Sequence, residues 1–459
     1  MPPMEITESK YDLTQGVIWK KLLRFFFPIA VGMLFQQLYN AVDAVIVGKF
    51  VGTGALAAVG GSPAVILNLT IGFFIGLSSG ATVIISQYYG AGDRDGVSKA
   101  VHTSIAFSIA AGAVLTLAGL LVAPWSLRIV HTPDDIMEYA LQYLRIFFVG
   151  TVPLMIFDMG SGILRAVGDS KSPLYYLIFC CLMNIGLDLL FVVGFRWEVA
   201  GAAWATVIAL VLSAALIVMK LCRTNEAYKL VLSELRIHPA QLRHMLHIGV
   251  PAGVQSATYG LSNIIIQAAV NDLGTSIVAA WTLTSKLDGV FWSVSSSFGV
   301  AIMAFVGQNF GAGKYNRMKQ SVRVCLGVAM IFTVFICGLI LLFGKYCFHI
   351  FVDDAAVISS AVTILTYFVP YYCVWTVIEI LSNALRGAGD AIRPMIITIL
   401  GICGLRVVWI FLVVPHWRDI MGISMCYPFT WIVTALVFII YYRRSDWLER
   451  CITLSGEGQ

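Results

Sequence analysis

The sequence predicts an all-α integral membrane protein with twelve transmembrane helices in two parallel six-helix repeats. Three observations predict this fold class: the hydrophobic composition, the number of apolar segments, and four motifs that recur along the chain. Hydrophobic residues make up 59% of the 459 residues and charged residues only 12%. A soluble protein carries roughly 25% charged residues, so the composition excludes an ordinary soluble domain.

The apolar segments define the number of spans. A helix needs about 20 apolar residues to cross a bilayer, and the sequence contains twelve such segments. They cover approximately residues 22–48, 58–87, 99–122, 137–163, 173–194, 200–221, 245–270, 276–305, 322–344, 357–383, 394–414 and 422–442. We therefore predict a first six-helix lobe at 1–219, a cytoplasmic amphipathic linker at 220–244 and a second six-helix lobe at 245–459.

Basic residues favour one side of the predicted membrane. They precede span one, follow the even-numbered spans and end the chain: Lys10, Lys20, Lys21, Arg24, Arg94, Lys99, Arg165, Lys171, Lys220, Arg223, Lys229, Arg236, Arg243, Lys314, Arg317, Lys319, Arg323, Arg386, Arg393, Arg443, Arg444 and Arg450. The other side has only Lys49, Arg128, Arg196, Lys345 and Arg418. Positive loops stay in the cytoplasm, so we expect both termini there. Residues 1–16 lack a signal-peptide pattern, and span one is expected to direct insertion.

An internal repeat relates the two halves. ISQYYGAG (85–92) recurs as VGQNFGAG (306–313), LRAVGDSKSP (164–173) as LRGAGDAIRP (385–394), VGTGALAA (51–58) as LGTSIVAA (273–280), and Pro28 matches Pro251. The offset stays at 221–223 residues, which indicates a duplication. Because each half has an even number of spans, the repeat is parallel, with a cleft between the two lobes.

The repeated loops predict local structure and not a phosphate site. The glycines of residues 90–92 are expected to end a helix, because no strand precedes them and no Gly-Lys-Ser/Thr follows. In the second motif, Arg165–Asp169 and Arg386–Asp390 are expected to clamp their loops as equivalent pairs.

A polar stripe marks the first span. Gln36, Asn40 and Asp43 lie at i, i+4 and i+7 and so share one helix face. A carboxylate in hydrocarbon normally faces a protein interior or a wet cavity. The stripe is therefore a functional candidate, although a polar contact between helices is the alternative.

Span five brings a second acid to the same depth. Asn184 and Asp188 share a face, and at about 1.5 Å of rise per residue Asp43, Asp188 and Thr206 all reach the outer half of the first lobe. Two carboxylates with amide and hydroxyl oxygens suit a proton or Na⁺. Two unrelated acids at helix contacts remain the alternative.

The second pair of equivalent acids is Asp158 and Glu379, each seven residues before its loop arginine. They could line the inner cleft and attract cationic ligands, or they could pair with loop basics. Lys286 and Arg406 are expected to form internal salt bridges, with Glu379 as one candidate partner. An adaptable aromatic wall could come from Met33, Met155, Tyr39, Tyr259, Trp281 and Trp375.

Other functional classes find little support in the sequence. The ten cysteines form no C-x-x-C pair and are read as core residues, so no metal site or disulfide is expected beyond a Na⁺ site. The seven histidines lie mostly at loop edges, which argues against an enzyme, and no repeated filter suggests a channel. Basic residues are dispersed over loops, so nucleic acid is not an expected partner.

With these residues in hand, the chain resembles a bacterial multidrug and toxic compound extrusion (MATE) transporter over about residues 15–445. The resemblance rests on LFQQLYNAVDAVIVGKFVGTGALAAVG, the duplicated QxxGAG and LRxxGD loops, and NIGLD followed by GAAWATVI. It implies a V-shaped pair of six-helix bundles in the bacterial plasma membrane, a monomer among lipids. It also implies alternating access, with small amphipathic organic cations exported against H⁺ or Na⁺, and no cofactor.

The resemblance further implies site residues. One branch of the family has a cation site in the first lobe, and its pattern maps onto Asp43, Asn184, Asp188, Thr206 and Tyr143. A second-lobe site, used by another branch, is not expected here, since helix seven carries Gln255 and no acid, which leaves Glu379 as the nearby candidate. The residues expected to line the substrate cleft are Gln36, Asn40, Asp158, Gln255, Glu379, Lys286 and Arg406. A flippase for a lipid-linked oligosaccharide or another amphipathic lipid is the alternative function; Lys286 and Arg406 are the cleft bases that hint at it.

Overall fold

Each of the twelve predicted spans coincides with one helix, or with two or three consecutive helical segments, in the computed structural model, which describes residues 12–456. The α-helices are α1 (Ile18–Phe50), α2 (Thr53–Gly60), α3 (Ser62–Ala91), α4 (Arg94–Ile129), α5 (Met137–Val149), α6 (Thr151–Ala166), α7 (Lys171–Asp188), α8 (Glu198–Arg223), α9 (Pro239–Asn271), α10 (Thr275–Gly311), α11 (Tyr315–His349), α12 (Ala355–Phe368), α13 (Tyr372–Gly387), α14 (Ile392–Thr398), α15 (Leu405–Leu412), α16 (Ile420–Ser424), α17 (Cys426–Arg444) and α18 (Trp447–Gly456). Lys10, one of the basic residues used to assign the cytoplasmic side, lies outside the described residues. So does most of the stretch 1–16, in which no signal peptide is expected.

Twelve spans account for this element order. Within the described part, nine helices are long and apolar enough to cross a membrane, and the bent pair α5–α6 makes a tenth. The other two are α1 and α9, each 33 residues long. These two helices are repeat equivalents, and the polar side chains along them, such as those in the stripe of α1, lower their hydropathy. The protein is an all-α integral membrane protein of two six-helix repeats.

Several spans are interrupted at points where no boundary was predicted. α5 and α6 meet at a 51° bend, next to Gly150. Span five ends in a π-helical segment (Leu189–Gly194), and span eleven contains another (Ile399–Gly404). A 3₁₀ turn (Val369–Tyr371) interrupts span ten. A π-helical turn places extra residues in a helix and rotates the face that follows, which matters for the site below.

The two repeats meet closely at one end of the bundle, which we call the GAG end because it holds residues 90–92 and 311–313. Gly90 of α3 lies against the main-chain carbonyl of Gln308, and Gly311 of α10 lies against that of Gln87. No Cβ would fit at either contact, so glycine lets the helices approach. Gly92, as predicted, ends α3 in a left-handed conformation with φ 74°.

Both described chain ends lie at the GAG end. The Leu13 N–H donates to Gln308 Oε1 at 3.0 Å, and Arg450 of α18 donates to the hydroxyl of Tyr441 at 3.1 Å. That hydroxyl in turn donates to Asp390 Oδ2 at 2.5 Å. An even number of spans explains why the two ends are on the same side.

The helix α1 connects the two repeats. Its first half packs into the hydrophobic cluster of the second repeat, where the rings of Phe26 and Phe298 stack with centroids 3.9 Å apart. Its second half packs against the first repeat, where Ile46 and Val47 belong to a cluster with α5 and α8. Pro28 lies within α1 between these two parts.

The segment between the repeats, residues 224–238, is irregular apart from a 3₁₀ turn (Leu232–Glu234). It is anchored to the first repeat, because Tyr228 and Leu230 are buried in a cluster with α4 and α6. The Val231 N–H donates to His102 Nε2 at 3.0 Å. Between α8 and α9 the chain therefore follows the surface of the first repeat.

Candidate cation site and cleft

The structure brings Asp43 of α1 and Asp188 of α7 together in the first repeat. Their carboxyl groups are close enough to interact with each other. The Oδ1 atom of each side chain is buried and finds no hydrogen-bond partner among residues 12–456. Asp188 is fully buried, whereas Asp43 is half-buried. The pair therefore offers carboxylate oxygens that the surrounding protein does not satisfy.

Asn184 and Thr206 complete the polar surroundings of Asp188. With the Asn184 amide nitrogen facing the acid, Nδ2 donates to Asp188 Oδ2 at 2.9 Å, and its oxygen accepts from Thr206 Oγ1 at 3.2 Å. The hydroxyl of Thr206 can also donate to the Ala202 carbonyl at 3.1 Å. One face of α7 thus supplies Asn184 and Asp188, as their i, i+4 spacing predicted.

Two tyrosines cover the acids. Tyr143 of α5 is 7% exposed and lies near both carboxyl groups. Tyr39 of α1 bonds to the side chain of Thr206 and lies close to Asp43. Sequence reasoning assigned Tyr39 to an aromatic wall. Its position four residues before Asp43, and so on the same helix face, was the signal that places it here.

The geometry suits a small cation. Two buried carboxyl groups in contact are strongly destabilised when both are charged, so one must take up a proton or the pair must hold a positive ion. The nearby donors and acceptors are oxygens and one amide, and oxygen ligands fit a hard ion such as Na⁺. Within the described chain no group of three or more His, Cys, Asp or Glu side chains could hold a metal ion.

The inner acids have different surroundings in the two repeats. Asp158 of α6 is half-buried and lines a small cavity between α3, α4, α5 and α6. Glu379 of α13 accepts a hydrogen bond from Asn383 Nδ2 at 2.9 Å. Gln36 and Asn40 of α1 are exposed, so they face open space on the surface of their helix.

Gln255 belongs to a buried network and not to the cleft surface. It is 7% exposed. Its Oε1 accepts from Arg386 at 2.8 Å, and its Nε2 donates to Thr398 Oγ1 at 3.3 Å. The sequence suggested Gln255 as a cleft residue, but both ends of its amide are already bonded within the second repeat.

The expected salt bridges of Lys286 and Arg406 are wrong. Within residues 12–456, the ion pairs shorter than 4 Å are Lys99–Asp95 and Arg393–Asp390. Lys286 is exposed on α10. Arg406 is buried, contacts the ring of Tyr427 and donates to Asn263. The pattern of charges could not show that these side chains lie more than 4 Å from the carboxylate of Glu379.

The expected loop clamps are also wrong. Asp169 accepts hydrogen bonds from the Lys171 and Ser172 N–H groups, at 3.1 and 3.0 Å, and so stabilises the start of α7. Asp390 instead faces Tyr441 and Arg393. Asp169 therefore stabilises a helix start, with which its Asp-x-x-x-Pro spacing is consistent, whereas Asp390 connects α14 to α17.

The residues of the predicted aromatic wall in the second repeat mostly form core. Trp281 and Trp375 are 8% and 7% exposed. The ring of Trp375 contacts those of Tyr259, Trp292 and Trp431, with centroids 4.8 to 6.0 Å apart. Aromatic residues at helical spacing here pack against each other and leave little surface for a ligand.

Two parallel six-helix repeats, joined closely at one end and with an acid pair inside one of them, form a polytopic membrane protein whose architecture is typical of secondary transporters. Residues 28–190 and 251–412 each match the MatE family. The chain belongs to this family, and the two matched segments are the two repeats.

Curated relatives carry transport names. The chain is 27% identical over 457 residues to "Probable multidrug resistance protein YoeA" of Bacillus subtilis (strain 168), covering 98% of this chain and 97% of the relative. It is 24% identical to an "FAD transporter" of Shewanella oneidensis, covering 87% and 88%. Similarity to named multidrug resistance proteins supports drug export by MATE transport.

Solved structures share the fold. An outward-facing multidrug resistance MATE transporter of the MOP superfamily superposes with a TM-score of 0.88 at 21% identity, covering 98% of this chain and 99% of that one. A MOP superfamily transporter from Pyrococcus furiosus, described as having a binding pocket of reverse polarity, gives a TM-score of 0.89 at 21% identity, covering 97% and 99%. At this identity the likeness concerns the fold alone.

Proposed function

We propose that the protein is a secondary antiporter that exports organic cations or drugs in exchange for H⁺ or Na⁺. The observation that carries this proposal is the proximity of Asp43 and Asp188, whose carboxyl groups each have one buried oxygen that no described residue satisfies. Such a pair binds a small cation strongly in one environment and releases it when the surroundings change. No covalent chemistry is needed.

Alternating access would follow from the way the repeats meet. The positive loops lie at the GAG end, so this end is assigned to the cytoplasm. The contact of the repeats at this end supports an outward-facing conformation, which we propose for the described state. Ions from outside would then reach Asp43. A change to the opposite conformation, with the GAG end open and the other end closed, would admit substrate from the cytoplasm.

Helix α1 is the proposed coupling element. It carries Asp43 at one end and, through the stack of Phe26 on Phe298, is attached to the second repeat at the other. Pro28 lacks the N–H of a regular turn and lets the helix bend between these parts. Ion binding at Asp43 shifts the equilibrium between conformations only if the two conformations bind the ion with different affinity.

The cleft would attract cationic substrates through its acids and amides. Gln36 and Asn40 are exposed on α1, and Asp158 and Glu379 are half-buried at corresponding depths of the two repeats. We propose that the protein acts as a monomer in the bacterial plasma membrane, with both termini cytoplasmic. The first lobe spans 1–219, the linker 220–244 and the second lobe 245–459.

Dye accumulation in inverted membrane vesicles tests the proposal. A proton gradient and a sodium gradient are imposed separately at matched membrane potential, and uptake of a fluorescent organic cation is recorded. The proposal predicts accumulation under one of the two gradients and its collapse when that gradient is dissipated. Accumulation that needs ATP, or that ignores both gradients, would exclude an ion antiporter.

A further inference from the structure

We propose that Arg406, in the second repeat, binds an anionic oxygen group of the transported molecule, a carboxylate or phosphate. The inference rests on the proposed transport function and adds a substrate class to it, namely zwitterionic or anionic amphipaths besides cations. Its basis is an arginine held at the position equivalent to Asn184, the amide beside the acid pair of the first repeat, with no acid within 4 Å of it among residues 12–456.

Arg406 is buried and incompletely satisfied. Its side chain is 3% exposed, and the Nε atom has no hydrogen-bond partner in the described part of the chain. One terminal nitrogen donates to Asn263 Oδ1 at 3.4 Å, and the guanidinium carbon lies 4.1 Å from the ring centroid of Tyr427. A buried charge is costly unless it is paired and hydrogen-bonded. The site therefore lacks a negative partner.

The acids of the second repeat do not fill this need. Asp288 accepts a hydrogen bond from the Tyr372 hydroxyl, and Glu379 accepts one from Asn383. Between residues 12 and 456 neither acid lies within 4 Å of Arg406. The positive charge is thus left for a group that comes from outside the chain.

The internal repeat relates the surroundings of Arg406 to those of the cation site. Thr206 plus the offset of 221 residues is Tyr427, and Asn40 plus the offset of 223 residues, which relates Pro28 to Pro251, is Asn263. Asn184 plus 221 is Leu405, but the π-helical segment Ile399–Gly404 precedes this point in the second repeat. One extra residue in a π turn moves the equivalent inward position to Arg406.

The contacts obey the same symmetry. Asn184 touches Thr206 in the first repeat, and Arg406 touches Tyr427 in the second. The two repeats therefore build corresponding pockets of opposite charge, one from aspartates and one from an arginine. A guanidinium offers a planar set of donors that matches carboxylate and phosphate oxygens, and an aromatic face leaves those edge donors free.

The pocket borders the space between the repeats. Gly253 and Gly260 of α9 lie against Phe73 and Leu69 of α3, in the first repeat. Asn263 continues this stripe by one helical turn toward the open end, and it is exposed. The Asn263 amide, which accepts the hydrogen bond from Arg406, thus faces the cleft. It lies nearer the open end than the level at which the two repeats touch.

Two dyes that differ by one carboxylate test the proposal. Rhodamine 19 carries a free carboxylate, and rhodamine 6G is its ethyl ester with the same cationic chromophore. Equilibrium binding to the purified full-length protein is measured by fluorescence anisotropy for wild type, Arg406→Gln, Arg406→Lys and the exposed control Arg418→Gln. Arg406→Gln should raise the Kd of rhodamine 19 about ten-fold or more, because a charge-assisted hydrogen bond in a dry site is lost. The Kd of rhodamine 6G should change by less than about two-fold.

The remaining variants sharpen the outcome. Arg406→Lys should keep part of the preference, and Arg418→Gln should leave both affinities as in wild type. If Arg406→Gln weakens the binding of both dyes equally, the arginine has only a structural role and the proposal is overturned. Unchanged binding of both dyes would overturn it as well. Binding needs no gradient, so a failure of ion coupling would leave this result unaffected.

A measurement on the unaltered protein guards against misfolding of the variant. Benzoate and the neutral benzamide compete with each dye at constant ionic strength. Benzoate should displace rhodamine 19 and benzamide should not. Displacement of rhodamine 19 by chloride at the same concentration would indicate a site for a simple inorganic ion, and equal displacement by benzoate and benzamide would indicate apolar binding; either result would overturn the proposal.

Discussion

Gln308 of the second repeat donates its amide to the Ala166 carbonyl of the first at 2.7 Å, and its repeat equivalent Gln87 donates to the Gly387 carbonyl at 3.0 Å. Ala166 and Gly387 occupy the same position of the duplicated LRxxGD motif. The two bonds are therefore one contact made twice across the pseudo-two-fold axis. They join the repeats at the GAG end.

Replacing both glutamines by alanine is expected to loosen the GAG end. Two neutral hydrogen bonds contribute about 1 kcal/mol each, so the open population of this end should rise by roughly 30-fold. Hydrogen exchange of residues 160–170 and 381–390 in nanodiscs measures the opening. Gln267→Ala, which removes a surface bond to Asn271 within one helix, is the matched control, and exchange that is equally slow in the double variant would contradict the assignment.

A side chain at Gly311 is expected to keep the repeats apart. Gly311 lies against the main-chain carbonyl of Gln87, so Gly311→Val cannot fit without separating α10 from α3. Transport of a fluorescent cation should fall to background while the protein remains folded by size-exclusion chromatography. Gly327→Val on α11 has open space around it and should transport normally. Normal transport by Gly311→Val would show that this contact is not required.

Removing the Thr206 hydroxyl is expected to weaken ion binding. Thr206→Val breaks the bond to Asn184 and leaves that buried amide incompletely satisfied, which costs about 1 kcal/mol and corresponds to roughly a five-fold rise in the half-saturating ion concentration. Initial transport rates at graded ion concentration give this value. Thr258→Val removes the same type of hydroxyl, bonded to the carbonyl four residues earlier; a shift of equal size in that variant would argue against a specific role for Thr206.

Attachment of the inter-repeat segment is expected to depend on pH. The His238 N–H donates to Thr103 Oγ1 at 3.1 Å, and His238 Nε2 accepts from Arg236 at 2.9 Å. Partial burial, and then the nearby positive charge of Arg236, lower the pKa of His238 below its usual value. The folded state thus favours the neutral ring, and its contribution to stability, complete above the ordinary pKa of about 6.5, is lost as the pH falls toward the lower folded value.

Limited proteolysis within residues 224–238 measures this dependence. Cleavage should be faster at acidic than at neutral pH in the wild type, relative to a protease standard. His238→Asn should remove the difference, whereas His416→Asn, which changes an exposed histidine beyond α15, should retain it. The interpretation fails if His238→Asn shows the wild-type pH dependence.

The sequence was sufficient to predict the spans and the meeting of Asp43 with Asp188. Apolar length fixes the spans, and a constant rise per residue fixes the depth of a side chain. Asn184 and Asp188 share a face because the helix between them is regular. The same regularity holds from Tyr39 to Asp43, so this contact could also have been read from the sequence.

Rotation of a helix within its bundle could not be predicted in this way. The π-helical segment before Arg406 changes which face of span eleven points inward, and no periodicity of an apolar run reveals it. The partners of Arg386 and Asp390 were missed for a related reason. They come from helices distant in sequence, α9 and α17, whose neighbours depend on the packing of the whole bundle.

The central claim is that the Asp43–Asp188 pair couples ion flow to transport. The most direct measurement is uptake of a fluorescent cation in proteoliposomes with an imposed ion gradient, comparing wild type with Asp43→Asn and Asp188→Asn, and with Asp95→Asn as an exposed control. We predict that both site variants remain folded and lose gradient-driven uptake to background, while Asp95→Asn retains it. Wild-type uptake in both Asp43→Asn and Asp188→Asn would contradict the account.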